Sequence, residues 1–178
     1  MNSTATISML VDLVYQWAQE RKFYELDGAT ELGQKLKLME EVGELNLNYR
    51  KKKSIKDDIG DIVVVIIVLT GFHGMGWSIR NSINTDLCEL SVEGCFATDA
   101  LDFLSTQQTI LSLYSCLLDG NTSDAVRMLA LLARRECNCS ILECLALAYD
   151  EIKDRKGEMR NGMFIKEVDL LAEKEYTK

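Results

Sequence analysis

The residues best suited to chemistry are two acidic clusters, Glu40-Glu41-Val42-Gly43-Glu44 and Asp57-Asp58-Ile59-Gly60-Asp61, separated by the basic run Arg50-Lys51-Lys52-Lys53. Glu41 and Glu44 stand three residues apart, as do Asp58 and Asp61. On helices each pair would share one face. Two such helices packed antiparallel would bring four carboxylates to one spot, an all-oxygen donor set suited to a hard divalent cation carrying phosphates. A solvated acidic face is the alternative reading of the same spacing.

The elements that must position these residues read as helices. Proline is absent and Leu, Glu, Lys and Ala are abundant, a composition that favours long uninterrupted helices. With 178 residues, the chain is most simply a single domain, 1–178. A first amphipathic helix is expected over Ile7 to Lys22, with Thr6 as its cap and Leu10, Leu13, Val14 and Trp17 on its apolar stripe. A second is expected over Glu31 to Tyr49, with Asp27-Gly28-Ala29-Thr30 supplying its cap. Two apolar stripes flank an arc holding Lys37, Glu40, Glu41, Glu44 and Asn48, so the acids should face a crevice. Gly43 inside this helix suggests close packing of another backbone there.

The run Ile62 to Leu69 is apolar at every position. Its β-branched residues favour a strand, but nothing nearby signals a strand partner, and a buried helix over Asp58 to Phe72 is the better reading. Helix capping accounts for Asp57 or Asp58. It accounts poorly for Asp61, which is followed at once by core and therefore needs a partner such as a cation. His73 sits where Gly74 and Gly76 should end the helix. No second histidine exists to build the paired Glu-x-x-His motif of a di-iron bundle.

Further helices are expected over Ser78 to Leu87, Asp99 to Leu118 and Ser123 to Glu136, and after a capping box at Ser140 and Glu143. The segment from Asp154 to Lys166 is polar, cationic and broken by two glycines. It reads either as a flexible surface loop or as a flap over phosphate or metal. Lys53 and Lys56 divide similarly between a solvated turn and a phosphate contact.

A net charge of -8 argues against a polynucleotide partner. The first nine residues lack the features of a signal peptide, and no apolar run is long enough to span a bilayer. The expectation is a cytoplasmic protein with no membrane partner. Its six cysteines are then reduced thiols, and Cys137, Cys139 and Cys144 do not follow a standard zinc spacing.

Three pieces, in order, resemble the MazG-like nucleoside triphosphate pyrophosphohydrolases. They are Lys37-Leu38-Met39-Glu40-Glu41-Val42-Gly43-Glu44-Leu45, Asp58-Ile59-Gly60-Asp61, and Tyr149-Asp150-Glu151-Ile152-Lys153-Asp154-Arg155-Lys156-Gly157. The last, with Asn161-Gly162-Met163-Phe164-Ile165-Lys166, looks most like phage versions. This resemblance implies an all-α fold with a four-helix core; the region from about 85 to 139 departs from the family and reads as a helical insertion that adds helices to that core. The resemblance also implies a homodimer or homotetramer that converts a nucleoside triphosphate to the monophosphate and pyrophosphate with Mg²⁺ or Mn²⁺. Some phage members act on dGTP, and related all-α enzymes act on dUTP or dCTP.

On this chain the resemblance makes Glu41, Glu44, Asp58 and Asp61 the metal ligands, with Glu40 or Glu41 accepting the proton of the attacking water. Asp58 stands where many members have glutamate. Lys53, Lys56, Arg155, Lys156, Asn161, Lys166 and Trp17 are the expected substrate contacts. A helical interaction module with a solvated acidic face is the reading from another class.

Overall fold

The computed structural model describes residues 3–73 and 103–176, with side chains described over 9–73 and 103–172. Among the described residues the fold is all-α, with one small hairpin. The helices are α1 (Ser3–Glu20), α2 (Glu31–Arg50), α3 (Lys56–Phe72), α4 (Thr106–Leu118), α5 (Thr122–Cys137), α6 (Ile141–Ile152) and α7 (Glu167–Tyr176). The strands β1 (Gly157–Arg160) and β2 (Met163–Lys166) lie between α6 and α7.

Helix α3 is the axis of the molecule. From Ile62 to Val68 no side chain is more than 7% exposed, because α1, α2, α5 and α6 pack around it. Burial on every side overrides the strand preference of its valines and isoleucines. Helix α1 contributes Val11, Val14, Trp17 and Ala18 to this core, and α2 contributes Leu38, Val42 and Leu45. Helix α1 begins at Ser3, so Thr6 lies within it and is not its cap.

Local signals fix several boundaries. The Thr30 side chain accepts the Gly33 amide hydrogen and opens α2. Ser140 and Glu143 form the expected capping box of α6, and Ser105 with Gln108 forms another at α4. His73 follows the last residue of α3, in the helix-ending place expected of it.

The close backbone approach expected at Gly43 is absent: a Cβ there would meet nothing within 4 Å. The tight position is Gly60, where a Cβ would collide with the Cys144 carbonyl on α6. The same helix that carries Asp58 and Asp61 can therefore lie directly against α6.

Residues 106–137 of the expected insertion form the hairpin α4–α5. Leu129 and Leu132 are fully buried, while Leu111 and Leu118 stay exposed. The helix expected over Ser78 to Leu87 falls outside the described residues, as do Asp99 to Asp102 of its neighbour. Cys116, Cys137, Cys139 and Cys144 are free thiols. Cys139 Sγ lies 3.6 Å from Cys144 Sγ, and burial pushes the Cys144 thiol far above its usual range.

Candidate functional site

The acidic face of α2 and the start of α3 open onto a cavity of about 220 Å³. Gln34, Lys37, Glu40, Glu41 and Glu44 reach it from α2 at helical spacing, and Asp61, Val64, Val65 and Val68 reach it from α3. Trp17, Phe23, Ile152, Met163 and Phe164 supply more apolar wall. Arg155, in the connector after α6, and Lys166, at the end of β2, add positive charge.

The segment Asp154 to Lys166 is ordered, which corrects the flexible-loop reading. Gly157 to Arg160 pairs antiparallel with Met163 to Lys166, and Arg160 faces Met163 across a two-residue turn. The turn is Asn161-Gly162, both at positive φ (52° and 78°). That pair of conformations is what a type I′ hairpin demands, and Asn-Gly supplies it at low steric cost. The turn then docks on α2: the Thr30 amide donates to the Gly162 carbonyl at 2.9 Å. Only glycine fits at 162 and 33, where each Cβ would press on the opposite segment. The hairpin is thus a fixed wall of the cavity.

Its other end is tied to α1. Trp17 Nε1 donates to the Ile152 carbonyl at 2.7 Å, and Arg21 donates to the carbonyls of Arg155 and Lys153 at 2.9 and 3.0 Å. These bonds satisfy carbonyls left open where α6 ends. The Arg21 guanidinium also lies 4.9 Å over the Trp17 ring. Trp17 packs against Phe23 and Phe164 and is 7% exposed. It lines the cavity, but its N–H is committed to holding α6 and its ring to the aromatic cluster.

The carboxylates are unequal. Glu41 is 5% exposed and meets Lys37 Nζ at 2.8 Å, while the same ammonium holds Glu40 at 2.9 Å. Burial disfavours the Lys37 charge, but the bonds to Glu41 and Glu40 outweigh it and raise its pKa. Among the described residues Asp61 has no such ion-pair partner. Burial first, then the nearby charges of Glu41 and Asp57, push its carboxyl up to about 7, against a smaller opposing pull from Arg155.

Asp58 is held by an amide and stays within electrostatic range of Glu41 and Glu44. It does not line the cavity, and Asn48 Nδ2 donates to both its oxygens at 2.9 and 3.1 Å. Burial raises its pKa, the Asn48 bonds counter that, and Asp57, Glu44 and Glu41 add to the rise. The four expected ligands therefore divide: Glu41, Glu44 and Asp61 share the cavity, and Asp58 stands outside it on an amide.

Among the described residues no three acidic, histidine or cysteine side chains close into a ready-made metal cage. The donor set still fits a hard cation, being all carboxylate and set where burial first, and the neighbouring acids second, raise Asp61.

Of the expected substrate contacts, Arg155, Lys166 and Trp17 line the cavity, whereas Lys53, Lys56, Lys156 and Asn161 do not. Lys53 is exposed in the turn after α2, and Lys56 lies within range of Glu143 and Cys144 at the opposite end of α6 from Arg155. Lys156 is exposed, its carbonyl accepting the Glu167 amide hydrogen, and Asn161 is the exposed hairpin tip.

Sequence reasoning missed the site roles of Gln34, Phe23, Met163 and Phe164. It placed Lys37 on the acidic arc without giving it a role, although its spacing to Glu40 and Glu41 is that of helix ion pairs.

Fold and site together define an all-α protein with one cleft that pairs an acidic wall with cationic and aromatic ones. Over 67 residues the chain is 42% identical to an uncharacterized 18.2 kDa protein in the rep-hol intergenic region of Haemophilus phage HP1 (strain HP1c1). The match takes in 36% of this chain and 40% of that protein's length. No protein-family model matches the chain, and no solved structure matches it. Among the described residues no helix is long and apolar enough to cross a membrane.

Proposed function

We propose that this chain is a MazG-like nucleoside triphosphate pyrophosphohydrolase that uses Mg²⁺ or Mn²⁺. The observation that carries the reading is the pairing of Asp61 with Glu41 in a cleft that also holds Arg155 and Lys166. A bare acidic surface would leave Asp61 solvated and near an ordinary aspartate. Here two carboxylates are forced together beside an apolar wall, facing cations that suit a polyphosphate.

Glu41, Glu44 and Asp61 are the residues to hold the cation, with Asp58 behind them on Asn48. When bound, the cation neutralises phosphate charge and orients water. Glu40 or Glu41 takes the proton of that water. Arg155 and Lys166 bind phosphate oxygens and balance the charge of the departing pyrophosphate. The aromatic wall excludes water from one side of the cleft.

The phage relative supports a phage origin, and a phage-encoded enzyme would act in a host cytoplasm. A homodimer or homotetramer, and a purine substrate such as dGTP, follow from the resemblance rather than from the cleft. The competing reading is a helical interaction module, and the Lys37 bridge to Glu40 and Glu41 favours it, because one internal ammonium already offsets part of the charge of two acids.

A pyrophosphate-release panel over all (d)NTPs, dUTP and dCTP included, tests the proposal with and without Mg²⁺ or Mn²⁺. Metal-dependent release supports the enzyme. Release from no nucleotide supports the interaction module.

A further inference from the structure

Gln34 is 6% exposed and lines the cavity. Its backbone amide is used within α2, donating to Thr30. Among the described residues its side-chain amide has no hydrogen-bond partner in the protein. A buried primary amide offers two N–H donors and a carbonyl acceptor, and leaving all of them unmatched is disfavoured. Water can partner them in the unliganded cleft. A ligand that brings its own adjacent donor and acceptor would replace that water with directed bonds.

The cavity that Gln34 lines has two kinds of wall. Phe23, Met163 and Phe164 are apolar or aromatic, whereas Arg155, Lys166 and the acids carry the charge. A buried amide in a cavity with an apolar, aromatic part, where the half-buried Phe164 ring stacks on Phe23, matches a flat heterocycle with a polar edge, and the charged part matches its phosphates.

We propose that Gln34 is a base-reading residue: its amide hydrogen-bonds the edge of a nucleobase seated against the half-buried Phe164. This rests on the nucleotide reading of the cleft and adds to it the part of the substrate that the acids and cations cannot distinguish. A site that pairs an amide with a base should discriminate against ligands lacking the base, because their binding leaves Gln34 unmatched.

The test measures binding of the non-hydrolysable α,β-methylene analogues of dATP, dCTP, dGTP and dUTP to the full chain. Inorganic tripolyphosphate serves as the base-free probe. In Gln34→Met, which keeps the volume and removes the amide, the best-bound analogue should weaken about tenfold or more, with tripolyphosphate unchanged. Gln34→Glu, which offers acceptors only, should shift preference about tenfold toward guanine, whose edge presents two adjacent donors.

Equal losses for nucleotide and tripolyphosphate would overturn the proposal, as would no loss for either. Should Gln34→Met fail to fold, the guanine shift in Gln34→Glu decides, and its absence overturns the proposal. Wild-type protein that binds no analogue also overturns it. Analogue binding that depends on Gln34, without pyrophosphate release from any nucleotide, would sink the hydrolase reading and leave base recognition standing.

Discussion

The Thr30 amide donates to the Gly162 carbonyl at 2.9 Å, joining the residue that caps α2 to the tip of a hairpin more than a hundred residues later. This bond closes the cavity by fixing β2, with Phe164 and Lys166, opposite the acidic face of α2. Gly162→Ala should break the arrangement twice over, since φ of 78° is left-handed and the new Cβ meets Thr30. The expected loss is roughly 1–2 kcal/mol in urea unfolding. Nucleotide affinity should fall with it, because Lys166 loses its position.

Gly60 and Gly43 should respond in opposite directions. Gly60→Ala drives a methyl group into the Cys144 carbonyl and should cost about 3 kcal/mol or prevent folding. Gly43 faces open space, so Gly43→Ala should stabilise the protein by about 0.5–1 kcal/mol, the gain of alanine over glycine within a helix. Thermal melts of the two variants check both signs.

Trp17→Phe keeps most of the ring contacts with Phe23 and Phe164 and removes the donor to the Ile152 carbonyl. The Ile152 carbonyl keeps the Arg155 amide hydrogen at 2.9 Å, so the loss should be that of one side-chain hydrogen bond, about 0.5–1.5 kcal/mol. If the variant melts like wild type, the indole N–H is not what anchors the end of α6.

How much of this was legible in the sequence depended on the kind of signal. Helices α2 and α6 were readable because capping residues and apolar spacing are local, whereas α3 was read from its continuous apolar run. Helix α3 begins at Lys56 with Ile55 as an N-cap that makes no side-chain bond, so the expected capping by Asp57 or Asp58 does not occur. The shared face of Glu41 and Glu44 follows from the same helical geometry. The turn Asn161-Gly162 was a strong local hairpin signal that went unread beneath the polar character of its segment. Other features depend on tertiary contact. Asp58 and Asp61 have identical spacing logic, yet one is held by Asn48 and the other lines the cavity. Lys56 lies close in sequence to the acids, but the path of α3 carries it toward Glu143. Nothing in the spacing around Gln34 announced a buried, unpaired amide.

Asp61 gives the metal-free protein a pH dependence of definite sign. Its folded pKa of about 7 lies above the ordinary value of 3.8, so the folded state holds the proton more tightly than the unfolded one. The stabilising contribution is full below about pH 4 and declines as pH rises through 7. In the presence of EDTA, stability at pH 8 should therefore lie below the value expected without this group, and Asp61→Asn should flatten the decline. Adding Mn²⁺ at pH 8 should restore stability in wild type and not in Asp61→Asn.

The most direct measurement is pyrophosphate release by wild type, Glu41→Gln and Asp61→Asn over the full nucleotide panel with Mg²⁺ or Mn²⁺. The account predicts metal-dependent release by wild type and a loss of at least about a hundredfold in each variant, the scale of removing a catalytic carboxylate. Both variants turning over nucleotide at the wild-type rate would contradict it.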